Sequence, residues 1–194
     1  YKTNNINPSP KFAFIKGPVW DYGDQDMQEG IVDFVKNAPL DIVDVELDSI
    51  FSKAAKSHEI IMNGSIARSL YKYYENEKEK LHPFTVARIE AGIPVSAKDY
   101  IEAIENAKLM EKSLKEVFKD YNAIITPAAP GQAPRDLMNT GNAIFNGYWT
   151  MMGIPAISLP LLNGKNNLPI GVQIITAWEN DLDLLKISEF ILNK

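Results

Sequence analysis

The chain has 194 residues, a formal net charge of -5 and 45% hydrophobic residues, enough apolar material for one substantial core and so for one domain or a large piece of a bigger one. The mild acidity argues against a nucleic-acid surface, which needs clustered Lys and Arg. The absence of cysteine excludes a disulfide framework, a thiolate nucleophile and a Cys-ligated metal. His58 and His82 stand far apart and outside any metal-binding spacing, so neither a metal nor a cofactor is expected. No apolar run approaches the roughly 18 residues of a membrane span, and a reducing, cytoplasmic setting is expected.

Residues 1–10 are rich in Asn and Pro and read as a linker. Residues 11–15 form a short apolar run ended by Gly17-Pro18, which predicts a buried strand. Asp24 is placed to cap a helix over residues 24–37, with Met27, Ile31, Phe34 and Val35 on one face. Residues 42–47 alternate Ile or Val with Asp or Glu and predict a second strand, which makes a right-handed parallel βαβ unit the natural reading. A long helix is expected over residues 49–80, burying Ile50, Ala54, His58, Ile61 and Met62. Pro83 opens a short helix to Ala91. Ser96-Ala-Lys-Asp99 then has the pattern of a capping box, and its helix should carry Tyr100, Ile104, Ala107, Met110, Leu114 and Phe118 inward.

The last third is more apolar. Residues 123–126 predict a strand cut off by Pro127, followed by a loop to Thr140. Asn142 should start a helix through Phe145, Tyr148, Trp149 and Met152. Residues 156–160 and 170–176 predict an antiparallel hairpin through a connection containing Asn163-Gly164. Residues 181–192 close the chain as an amphipathic helix. Alternating helices and strands give an α/β class with a mixed sheet flanked by helices.

The residues alone show little catalytic machinery. There is no phosphate-binding loop, no dinucleotide turn and no Gly-x-Ser-x-Gly elbow. No two serines are adjacent, and Ser65, which does follow a glycine, falls inside a predicted helix rather than on the tight turn an activated serine needs. His58 lies on an apolar helix face, where a hydrogen-bonded core histidine is the plainer reading than a general base. Asp24/Asp26 and Asp181/Asp183 look like charges favouring helix starts, not acid/base dyads. Arg88 reads as solvated, or as a partner of Glu90 or Asp99. Phe145 and Trp149 suit either the core or a pocket wall. The long loop after Thr126 leaves the carboxyl end of a buried strand, where open α/β sheets place ligand sites, though it could equally be a plain surface loop.

The run Tyr121-Asn-Ala-Ile-Ile-Thr-Pro-Ala-Ala-Pro-Gly-Gln-Ala-Pro134 resembles the "YDxxLTPAAPGxAP" of the amidase-signature family. Thr140-Gly-Asn-Ala-Ile-Phe-Asn-Gly-Tyr-Trp-Thr-Met-Met-Gly-Ile-Pro-Ala156 is similar to its "TGDPxFNxxWTLLGLPA", and Leu159-Pro160 with Leu168-Pro-Ile-Gly-Val-Gln-Ile to its "LP…LPxGVQLxG". Upstream, Ala87-Arg-Ile-Glu-Ala-Gly and Ser96-Ala-Lys-Asp-Tyr resemble "xxIEAGxxxSAxDY". The resemblance implies that residues 1–194 are the carboxyl-terminal half of a single amidase-signature domain that hydrolyses carboxamides through a serine acyl-enzyme. It also implies a nucleophilic serine, a bridging serine on a cis peptide and a lysine, around a "GGSSGGS"-like stretch that this chain lacks. No catalytic residue is therefore assigned. The resemblance makes Thr126, Pro127, Thr140, Gly141, Phe145 and Trp149 candidate lining residues of a cleft for a small amide substrate. Asn142 stands where many relatives carry Asp. Two other readings compete: the matching half of the A component of a tRNA-dependent amidotransferase, and a non-catalytic split or degenerate partner. Half of a continuous sheet should leave an open edge, so self-association or cover by the missing amino-terminal half is expected.

Overall fold

The computed structural model describes residues 9–136 and 138–194; most of the expected linker over residues 1–10 lies outside them. Strand β1 (Lys11–Phe14), helix α1 (Gln25–Asn37) and strand β2 (Asp41–Asp44) come first, then helices α2 (Ala54–Glu77), α3 (Pro83–Gly92) and α4 (Ala97–Asp120). Strand β3 (Ala123–Pro127), helix α5 (Ile144–Met151), strands β4 (Ala156–Asn163) and β5 (Pro169–Ile175) and helix α6 (Asp181–Leu192) complete the chain. The strands make one sheet in the order β2-β1-β3-β5-β4. β1 pairs in parallel with β2 and β3, whereas β5 runs antiparallel to β3 and β4. The predicted parallel pair, the hairpin and the mixed sheet are all present.

Apolar runs become the central strands because they are covered on both faces. Phe12, Ala13 and Phe14 of β1 and every residue of β3 are buried. Around them pack Met27 and Ile31 of α1, Met110 and Leu114 of α4, Phe145, Tyr148 and Trp149 of α5, and Leu184, Ile187 and Ile191 of α6. Ser96 caps α4 as its sequence predicts: its hydroxyl accepts from the Asp99 amide at 3.0 Å and donates to the Asp99 carboxylate at 2.7 Å.

Several local expectations differ. In α4, Met110 and Leu114 are buried as expected, but Ala103 and Asn106 join them while Tyr100, Ile104, Ala107 and Phe118 are only half-buried, and α5 starts at Ile144 rather than Asn142. β2 ends at Asp44 rather than Leu47, because the chain turns into a 3₁₀ turn (Ser49–Lys53) capped by Asp48, whose carboxylate accepts from the Ile50 amide at 2.9 Å. In the helix that follows, Ala54 is buried as expected, but the other fully buried positions are Ser57, Asn63 and Ala67, while His58, Ile61 and Met62 are only half-buried. Small side chains let α2 approach α3 and α4 closely, and a polar Asn106 of α4 donates to Ser57 at 3.4 Å, so burial there does not follow hydropathy. β4 runs on to Asn163, and the hairpin turns over residues 164–168 with Asn167 in the left-handed region at φ 57°. Asn tolerates that conformation better than most residues. Finally, Asp24 holds the N-cap position of α1 but its side chain makes no cap hydrogen bond.

The two sheet edges differ. β2 is four residues long with aspartates at both ends, features that blunt an edge against further pairing. β4 is twice that length and mostly apolar, though Pro160 and a register shift between Leu159 and Leu162 interrupt it, and among the described residues its one strand neighbour is β5. Among the described residues no helix is long and apolar enough to cross a membrane.

Candidate functional site

A cavity of about 800 Å³ opens at the carboxyl end of β3. Its wall is the loop that leaves Pro127, the approach to α5, and the faces of Ser158 on β4 and Gly171 on β5. The loop is tied down at several of its described residues. Ala128 extends the ladder by donating to the Gly171 carbonyl at 3.1 Å, and its own carbonyl accepts from Asn146 Nδ2 at 2.9 Å. Asn146 Oδ1 accepts in turn from Gln173 Nε2 at 2.8 Å. Asn146 therefore joins α5, β5 and the first residue of the loop.

The amino end of α1 and the hairpin tip hold the loop's middle. The Asp24 amide donates to the Pro130 carbonyl at 2.7 Å. Gln132 Nε2 donates to Asp26 Oδ2 at 3.1 Å, while Gln132 Oε1 accepts from the Asn166 amide at 3.1 Å. Asp26 also accepts from the Lys165 amide at 3.3 Å, and that hydrogen bond is the main reason its carboxyl sits below the ordinary range. Arg135 closes the set by donating to Asn166 Oδ1 at 2.8 Å. Further along, Asn139 accepts from Gly141 and Asn142 from Ile144, at 2.9 and 3.0 Å. Gly141, at φ 84°, occupies a left-handed conformation that glycine takes without strain.

The candidate residues separate into two groups. Thr140 and Gly141 line the cavity. Thr126 and Pro127 are buried in β3, and Phe145 and Trp149 are 0% and 1% exposed within the core. The Trp149 and Tyr148 rings are 4.6 Å apart at 42°. The Thr126 hydroxyl, the Tyr148 phenol and the Trp149 indole N–H are buried together, yet none meets a hydrogen-bond partner among the described residues. Burial pushes the Tyr148 phenol up.

Other side chains singled out from the sequence also find their places. His58 packs half-buried against α5 at Gly147. Burial first, and Arg88 second, push its pKa down. It makes no hydrogen bond among the described residues, so the hydrogen-bonded core histidine becomes an apolar-packed one. Arg88 donates to Asn63 at 3.4 Å and lies 5.0 Å over the Phe84 ring, not against Glu90 or Asp99. Glu90 pairs instead with Lys78 at 2.7 Å, and Asp99 with Ser96. Asn146 and Gln132 escaped the sequence reading. The one signal, for Asn146 alone, was a lone amide in the largely apolar Ile144–Met151 helix.

Chemically the cavity offers hydroxyls at Thr140 and Ser158, carboxamides at Asn139, Asn142, Gln132 and Asn146, and the exposed carboxylate of Asp24. It has no Lys or His among its lining residues to take a proton from a hydroxyl nucleophile. No group of three His, Cys, Asp or Glu able to hold a metal occurs among the described residues.

A model of the family described as Amidase matches residues 6–185. The chain is 24% identical over 198 residues to the A component of the glutamyl-tRNA(Gln) amidotransferase of Brachyspira hyodysenteriae, an alignment covering 84% of this chain and 41% of that protein. Among solved structures it is similar to an amidase with a TM-score of 0.83 at 16% identity, over 95% of this chain and 46% of that one. It is also similar, with a TM-score of 0.82 at 18% identity, to a chain of the vestigial protein complex bearing on the origins of an s-triazine catabolic enzyme, over 96% and 43%. The structural likeness shows the fold, and the chain spans less than half the length of each of these proteins. Because the family model matches nearly the whole chain, the chain belongs to the amidase family, the amidase-signature enzymes.

Proposed function

We propose that this chain is the carboxyl-terminal part of an amide hydrolase that works through a serine acyl-enzyme, and that it supplies a wall of the substrate cleft while the reacting groups come from the rest of the protein. The observation that carries this reading is the cavity itself. It is built and braced at the end of β3, yet no Lys or His lines it beside its hydroxyls, and its one lining carboxylate, Asp24, is exposed at the start of α1. A serine needs such a base, with backbone donors aimed at the oxyanion, to attack a carboxamide. Thr140 and Gly141 are wall residues in this reading. Thr126, Pro127, Phe145 and Trp149 stand behind the wall and fix its shape.

The β4 edge supports the same reading, since on either side of Pro160 it can take up a strand from the rest of the protein. Alone, the chain would be expected to pair this edge with another copy. A second reading follows from the relative named as an amidotransferase component: glutamine as the amide donor, with companion proteins. Glutaminase activity that co-purifies with those companions separates it from a free-standing amidase.

The test is hydrolysis of a panel of linear carboxamides by the full-length protein and by residues 9–194 alone. The full-length protein is expected to turn over at least one amide, and the isolated chain none. Turnover by the isolated chain at a comparable rate would show that the nucleophile lies within it.

A further inference from the structure

We infer that Gln132 is a positioning residue of the proposed hydrolase: its side chain clamps the cavity wall to α1 and to the tip of the β4–β5 hairpin, and so fixes the shape in which the substrate is held. The inference rests on the hydrolase reading and names the contact through which residues outside the cavity act on it. Gln132 lines the cavity, whereas Asp26, Gly164 and Asn166 do not. Both ends of the Gln132 carboxamide are engaged by such outside residues. Nε2 donates to Asp26 Oδ2 and Oε1 accepts from the Asn166 amide, each at 3.1 Å.

The partners are themselves held. Asp26 lies in the first turn of α1, and its Oδ2 also accepts from the Lys165 amide at 3.3 Å, so one carboxylate oxygen joins the wall to the hairpin tip a second time. Gly164 lets the Gln132 amide lie where it does. An added Cβ there would collide with Gln132 Cγ, Cδ and Nε2. That obstacle is a flexible side chain rather than backbone, so Gly164→Ala is relieved by expelling Gln132 from its place. The turn itself survives the change. The Gly164 amide still donates to Leu168 and its carbonyl still accepts from Asn167, at 3.0 and 2.9 Å, and its backbone lies outside the left-handed region. Gly164 therefore controls the clamp from outside the cavity. Because protein satisfies the Gln132 amide at both ends, its loss removes alignment rather than a contact to substrate.

The experiment measures kcat and KM of full-length wild type, Gln132→Met, Gly164→Ala and the double variant on one linear carboxamide, with active enzyme counted by a serine-directed fluorophosphonate. Met keeps the length of Gln132 and removes both hydrogen bonds. Each single variant is expected to lower kcat/KM about tenfold, mainly through kcat, as misplacement of a bound substrate does. The double variant should lose no more than either, since both changes release the same contact. Counting active enzyme keeps a partial loss of fold from imitating the result. An unchanged kcat/KM in either variant, losses that multiply in the double variant, or a change confined to KM would overturn the proposal. Hydrogen exchange separates it from the reading beneath it. The Asn166 amide should be protected in wild type and exchange faster in both variants. A protein that hydrolyses no amide but shows that loosening keeps the clamp and sinks the hydrolase; equal exchange in wild type and variants sinks the clamp.

Discussion

Replacing Gly92 with alanine is expected to cost the fold about 2–3 kcal/mol, the upper range for overpacking a site that cannot yield. Gly92 ends α3 against α2. A Cβ there would collide with the Asn63 carbonyl oxygen and stand 2.5 Å from its carbonyl carbon and 2.7 Å from the Ala67 Cβ. Two of those three obstacles are backbone, so no rotamer change relieves them and the helices must separate. Their separation would also break the Arg88 contact to Asn63. Denaturant titration of the full-length protein should show a lowered midpoint with an unchanged slope. Gly30→Ala serves as the comparison: its Cβ would meet only Leu162 side-chain atoms, at 3.6 Å and beyond, inside a helix where alanine is favoured by about 1 kcal/mol. That variant should be neutral or stabilising. If the two substitutions behaved alike, the close α2–α3 approach would be wrong.

The second large effect concerns Asn146. Truncation to alanine removes the donor to the Ala128 carbonyl and the acceptor of Gln173 Nε2. Gln173 is 6% exposed, so its amide finds no ready substitute in water. Each stranded buried group costs about 1–3 kcal/mol, and the expected loss is about 2–4 kcal/mol. In the proposed hydrolase, kcat/KM should drop about a hundredfold, because the first residue of the loop keeps only its contact to Gly171 and the wall shifts. Adding Gln173→Leu to Asn146→Ala removes the stranded amide and should return part of the stability, though not the activity. A double variant no more stable than the single one would mean that the two amides do not act as a pair.

Much of this architecture follows from local pattern. The alternation of apolar runs with amphipathic segments marked the parallel strand pair, the hairpin and the helix order, and Ser96 with Asp99 marked a helix start by a short-range hydrogen bond. What escaped depends on neighbours distant in sequence. Ser57, Asn63 and Ala67 are buried because α3 and α4 come close, not because their side chains are apolar. Asp24 has the right residue type for a cap, yet its carboxylate stays uncommitted while its amide holds Pro130. Asn146 joins β5 to a loop eighteen positions earlier, and no periodicity reports such a link. The family resemblance pointed to the Thr-Pro loop and the Thr-Gly turn as one wall. It could not say that Phe145 and Trp149 lie behind that wall in the core.

The most direct measurement is the site of covalent labelling by a serine-directed fluorophosphonate in the full-length protein, mapped by peptide mass spectrometry. A single adduct is expected, on a serine outside residues 9–194. An adduct on Ser158, or on any other serine of this chain, would contradict a cleft whose nucleophile comes from the rest of the protein.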